Sequence, residues 1–142
     1  MKKHTKVVVS AIVWQDGKIL LLKRARNFKE LNIGKDYWDL PGGKLEFGLQ
    51  LEEALQNELS EETQNIKINS TLRLIEAISY LIKDETTMVN RVNIIYGMEI
   101  EDEVNIKLSE EHSDYLFADD RNLIQSLNMM APIKSLLLKL LE

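Results

Sequence analysis

Three glutamates, Glu58, Glu61 and Glu62, crowd into the stretch NELSEETQ, residues 57–64. In a helix turning about 100° per residue, Glu58 and Glu62 stack one above the other, and Glu61 flanks them within a turn. Glu62 then takes nearly the same heading as Leu51, Leu55 and Leu59, whereas Glu52, Glu53, Gln56 and Ser60 point the opposite way. Two of the three acids therefore sit on the helix's apolar side. Like charges at this spacing repel, and partly buried ones also lose hydration, so the group calls for a positive partner. A hard divalent cation, Mg2+ or Mn2+, suits an all-oxygen ligand set; the chain has no cysteine to offer anything softer. The plainer alternative is an acidic helix end whose side chains reach out to water.

The turn before the helix bears on that choice. Pro41-Gly42-Gly43-Lys44 places two glycines where the backbone can bend and bring a carbonyl or amide close to a ligand. Alone, Pro-Gly-Gly is just a turn. Followed at fixed distance by the glutamate trio, it has more meaning.

The segment from Trp38 to Gln64, WDLPGGKLEFGLQLEEALQNELSEETQ, resembles the box of the Nudix hydrolase family, MutT-like proteins with the pattern G-x5-E-x7-R-E-U-x-E-E-x-G-U, where U is a bulky aliphatic residue. Gly43, Glu58, Leu59, Glu61 and Glu62 match, and Trp38, Pro41 and Gly42 fit the usual approach to the box. Leu49 stands in place of the family's first glutamate, Asn57 in place of its arginine and Gln64 in place of its glycine; Asn65 misses the last aliphatic position, with Ile66 one step late. The lost glutamate and arginine are both replaced by neutral residues, so neither leaves an unpaired charge.

The resemblance implies an α/β/α sandwich with a mixed sheet, and a pyrophosphohydrolase acting on a nucleoside diphosphate linked to a further group. Carried over, Glu58 and Glu62 would ligate Mg2+ or Mn2+ together with the Gly42 carbonyl, and Glu61 would bind a further metal or its waters. Glu58, Glu61 or a loop glutamate such as Glu111 would act as general base. Arg24, Arg26 and Lys44 are candidates for gripping the phosphates, and the expected partner is a small nucleotide. A second class remains open, a nucleotide-binding or regulatory module that holds its ligand without turnover: the intact trio favours the enzyme, the changes at 49, 57 and 64 the module.

These residues need elements to position them. Residues 6–14 and 18–23, joined through Gln15-Asp16-Gly17, read as a hairpin with a tight Asp-Gly turn. Residues 24–37 are polar and unpatterned, a loop. The helical period holds from Leu49 to Thr63; Ile66–Lys83 and Met88–Ile100 read as strands around the turn 84–87; residues 101–113 form a charged loop; Tyr115–Ala118 is a short strand. A helix over Asp119–Leu127 opens on an aspartate cap, and Pro132–Leu141 forms a last helix with proline in its first turn. Its Leu-rich stretch 133–141 could cap the sheet or serve a homodimer. Trp14, Trp38 and Tyr80 suit core packing better than base stacking, and His112 reads as a loop residue.

The bulk numbers set the frame. At 142 residues, 44% hydrophobic, the chain suits a single domain with a core of its own. The N-terminal apolar runs are broken at Gln15-Asp16-Gly17-Lys18 before they take signal-peptide or membrane-spanning form, which points to a cytoplasmic protein off the membrane. The net charge of −5 conceals an asymmetry: residues 1–44 carry ten Lys/Arg against four Asp/Glu, and residues 45–142 carry eight against nineteen. That division is poor for coating a DNA duplex. It suits a small polyanion held between basic side chains and a carboxylate-bound cation, although two solvated surfaces would account for the same charges. Gly43 and Gly48 have P-loop spacing, but Leu49-Gln50 follows where Lys-Ser or Lys-Thr is required; GxSxG and HExxH are absent.

Overall fold

Val, Ile and Leu dominate the first two strands, β1 (Lys2–Gln15) and β2 (Lys18–Arg24), because both of their faces are buried. In the computed structural model, which describes residues 1–101 and 103–141, alternate side chains part to opposite sides of the sheet. Val9, Ala11, Val13, Leu20 and Leu22 pack with Ala54, Leu55 and Leu59 of helix α1 (Leu51–Thr63). Ile12, Ile19 and Leu21 pack instead with Ile124 of α2 (Arg121–Ser126) and with Ile133, Leu136 and Leu137 of α3 (Ala131–Leu140). The result is an α/β/α sandwich. Helix α3 caps the sheet, and Trp14, Trp38 and Tyr80 lie against the same cluster.

The sheet is mixed. β1 runs parallel to β6 (Thr87–Glu99) over its whole length, and β6 pairs antiparallel with β5 (Arg73–Lys83). The Asp16-Gly17 turn takes positive φ at both residues, 51° and 78°, as a tight hairpin requires. The hairpin itself is shorter than expected: β1 and β2 pair only at Trp14↔Ile19 and Gln15↔Lys18. Beyond that point β3 (Trp38–Asp39) pairs with β2, and β4 (Gly42–Lys44) pairs with β1 at Val8, Val9 and Ser10. The other edge of β2 is taken by β7 (His112–Ala118). The Pro-Gly-Gly turn is thereby fastened to β1, beside the end of α1.

Two boundaries differ from expectation for identifiable reasons. β5 begins at Arg73, not Ile66, because Gln56 of α1 captures the intervening backbone: its amide nitrogen donates to the Ile66 carbonyl and its oxygen accepts from the Ile68 N–H at 2.7 Å. β7 begins at His112, three residues early, where that residue turns inward against Glu62. Of the expected loop 101–113, Asp102 lies outside the described residues. Among the described residues no helix is long and apolar enough to cross a membrane.

Candidate active site

Helix α1 ends in a way that fixes where its acids point. Its N-terminus is held by the Gln50 N–H donating to Glu53 Oε1 at 3.1 Å, and its last turn by the Thr63 hydroxyl donating to the Leu59 carbonyl at 2.6 Å. Leu55 and Leu59 are fully buried in the core, and Glu62, in the same stripe, is 3% exposed. A buried carboxyl must be hydrogen-bonded. The Gly42 N–H donates to Glu62 Oε1 at 2.7 Å, and His112 Nε2 faces Glu62 Oε2 at 3.5 Å. His112 is therefore a buried neighbour of the site and not the loop residue the sequence suggested.

Burial pushes the Glu62 carboxyl well above the usual carboxylate range, against the Gly42 hydrogen bond that favours its charge. The same cause, reinforced by Arg24, holds His112 below its ordinary value. Burial thus works against charge on both side chains of this contact. Glu58 is half-buried and raised to about 7, first by burial, then by repulsion from Glu61, Glu111 and Glu46.

Both glycines of the turn are required by close approach. A Cβ at Gly42 would strike the Val9 carbonyl and Ser10, and a Cβ at Gly43 would occupy the space taken by the Glu58 carboxyl. The turn forms one wall of a cleft of about 500 Å3, open to solvent. Gly42, Glu58, Glu61, Glu62 and Glu111 line it, and so do Arg24, Arg26 and Lys44; the structure brings every sequence-predicted site residue to one place. The Arg24 guanidinium is fixed by the Arg26 carbonyl at 3.3 Å and by the Phe28 ring, whose centre lies 4.2 Å from its Cζ. Arg26 reaches Glu110 at 3.4 Å on the exposed rim.

Among the described residues no three His, Asp or Glu side chains close around one point as a finished metal cage. The residues nevertheless suit a hard cation in chemistry and in space. The donors are carboxyl oxygens and backbone, two of the carboxyls are crowded and stripped of water, and glycine at 43 leaves the Glu58 carboxyl its place.

Lys6 and Arg91 are among the lining residues that escaped the sequence reading. They lie opposite one another on β1 and β6, and Arg91 faces Asp39 of β3, Nη2 to Oδ2 at 3.8 Å. One signal was available. Arg91 and Asn93 interrupt the buried stripe of Val89 and Ile95 on β6, as Glu62 interrupts that of α1.

The NUDIX domain family model matches residues 4–135. An ADP-ribose pyrophosphatase from Methanocaldococcus jannaschii is 43% identical over 70 residues, a stretch that covers 49% of this chain and only 38% of that protein. Among solved structures, a MutT protein from Methanosarcina mazei Go1 superposes with a TM-score of 0.72 at 22% identity, covering 99% of this chain and 95% of that one. The NUDIX domain of Shewanella oneidensis NrtR, complexed with ADP ribose, gives 0.71 at 17% identity, covering 96% and 86%. At these identities the two structures establish a shared fold.

Proposed function

This chain belongs to the NUDIX domain family, and on that premise we propose that it is a divalent-metal-dependent hydrolase that cleaves the phosphoanhydride bond of a nucleoside diphosphate linked to a further group. The observation that carries the reading is Glu62: a carboxyl almost wholly withdrawn from water, bonded to Gly42 and opening on a cleft that also holds Glu58 and Glu61. An isolated fold would gain nothing from crowding these acids together.

In this reading Glu58, Glu62 and the Gly42 carbonyl hold Mg2+ or Mn2+, with Glu61 serving a further ion or its waters. The bound ion would screen the charge of the diphosphate and lower the pKa of the attacking water. Arg24 and Lys44 grip phosphate oxygens, Arg24 being fixed in advance by loop carbonyls and Phe28. The water's proton passes to one of the carboxylates that share the cleft, Glu58, Glu61 or Glu111. The changed box positions favour no loss of the site: Leu49 packs against the α1 side of the core and Asn57 is exposed, so neither leaves a charge stranded.

The test is a panel of nucleoside triphosphates and nucleotide-sugar diphosphates, with ADP-ribose among them because the archaeal relative carries that activity in its name. Hydrolysis with Mg2+ that stops in excess EDTA supports the reading. Binding of a nucleotide without any turnover would favour the regulatory module instead.

A further inference from the structure

Of the cations that line the cleft, Lys6 and Arg91 stand outside the machinery already described. Lys6 and Arg91 occupy directly paired positions on adjacent parallel strands, so their side chains share one face of the sheet. Both line the cleft. Arg91 is 9% exposed, its Nε–H meets no acceptor among the described residues, and the Asp39 carboxylate that faces it stands at 3.8 Å, too far for a good hydrogen bond. Two guanidiniums crowd a single ring: Phe28 has the Arg24 Cζ 4.2 Å and the Arg91 Cζ 5.1 Å from its centre. Gly34 packs so closely on Phe28 that a Cβ there would overlap the ring, which fixes this spacer in place. Lys6, half-buried, is held below its ordinary pKa by burial and then by Arg91, Arg24, Lys29 and Lys44, and its charge acts favourably on Glu58 in the same cleft.

A buried guanidinium with an unspent donor is costly unless an anion offsets its charge. We propose that Lys6 and Arg91 form a metal-independent diphosphate subsite on the strand floor of the cleft, which anchors the substrate's anionic group while the glutamates serve the cation. It extends the reading above by adding two residues that the box does not contain. A diphosphate suits the pair better than a single tetrahedral ion, because the two cations come from adjacent strands and each can meet its own phosphoryl group. The Arg91 guanidinium supplies a planar, permanently charged group, and Lys6 on the neighbouring strand supplies a point charge.

The experiment needs no turnover. The full chain in excess EDTA is titrated with inorganic pyrophosphate, read by calorimetry and by thermal melts, with sulfate as the single-anion control. Wild type should bind pyrophosphate, melt higher in its presence, and bind sulfate at least about tenfold more weakly. Lys6→Gln should weaken pyrophosphate binding about tenfold, the loss of one charge-assisted contact. Its ligand-free form should melt at least as high as wild type, since repulsion from Arg91, Arg24, Lys29 and Lys44 is relieved. Arg91→Lys keeps a charge opposite Asp39, and so the fold, but loses the fork; it should bind at least about tenfold more weakly. No uptake by wild type in EDTA, equal affinity for sulfate, or a Lys6→Gln variant that binds unchanged would overturn the subsite. Failure of the nucleotide panel with Mg2+ would leave this result untouched, so the two readings fall separately.

Discussion

At the scale of single residues, the site is built by placing ionisable groups where solvation alone would not keep them. Glu58 shows the consequence for stability. Its folded pKa of about 7 lies above the ordinary 4.5, so its contribution is fully present below pH 4.5 and is lost as pH rises through 7. Metal-free protein should therefore lose melting temperature between pH 4.5 and 7, and Glu58→Gln should flatten that slope. Parallel curves for the two proteins in EDTA would show that Glu58 titrates normally. Gly43→Ala gives a second prediction: the added methyl needs the space of the Glu58 carboxyl, so Mg2+-dependent stabilisation should fall at least about tenfold in apparent affinity while Gly17→Ala, in open space, leaves it alone. Titrating melting temperature against Mg2+ distinguishes them. The acids were legible in the sequence because their positions violate a helical stripe. Arg91 was less so, because one arginine in a strand of mixed character resembles ordinary edge polarity until the parallel partner, Lys6, is known.

At the scale of elements, each unit that carries the site is fixed by local chemistry that a sequence reveals only in part. The Asp-Gly turn, the aspartate cap of α2, where Asp120 accepts from the Asn122 N–H at 2.8 Å, and the early proline of α3 were readable because each residue type is strongly favoured at the backbone position it takes. The short pairing of β1 with β2 was not, since the wedge that parts them comes from residues 38–44, far along the chain. Gln64, where the box has glycine, ends α1 at a φ of 66°, a conformation that costs a residue with a side chain. Gln64→Gly should raise stability by about 0.5–1 kcal/mol in denaturant melts; a loss would mean that the side chain repays its strain. Leu49→Glu and Asn57→Arg should each destabilise alone and less together, because each adds a charge near the helix that the pair can neutralise. Additive effects in the double-mutant cycle would show that the positions do not meet.

At the scale of the whole molecule, the charge asymmetry of the sequence turns out to be folded into one cleft. The carboxylates that line it come from the acidic part, Glu46 onward, and its cations come from residues 1–44 with the addition of Arg91. Neither wall is balanced by itself, and in the proposed reading a polyanion and a cation together would satisfy both; the fold supplies the scaffold on which that site is built. The central claim is that Glu62 lies in an apolar stripe because it serves a metal. The most direct measurement compares wild type with Glu62→Gln, by Mg2+-dependent hydrolysis of the best substrate and by melts in EDTA and in Mg2+. The account predicts a fall in rate by orders of magnitude and a smaller gain in melting temperature from Mg2+. It also predicts a metal-free mutant at least as stable as wild type above neutral pH, where the raised Glu62 pKa works against folding. A mutant that melts lower than wild type in EDTA, gains as much from Mg2+ and keeps its rate would show that Glu62 is a structural hydrogen-bonding residue.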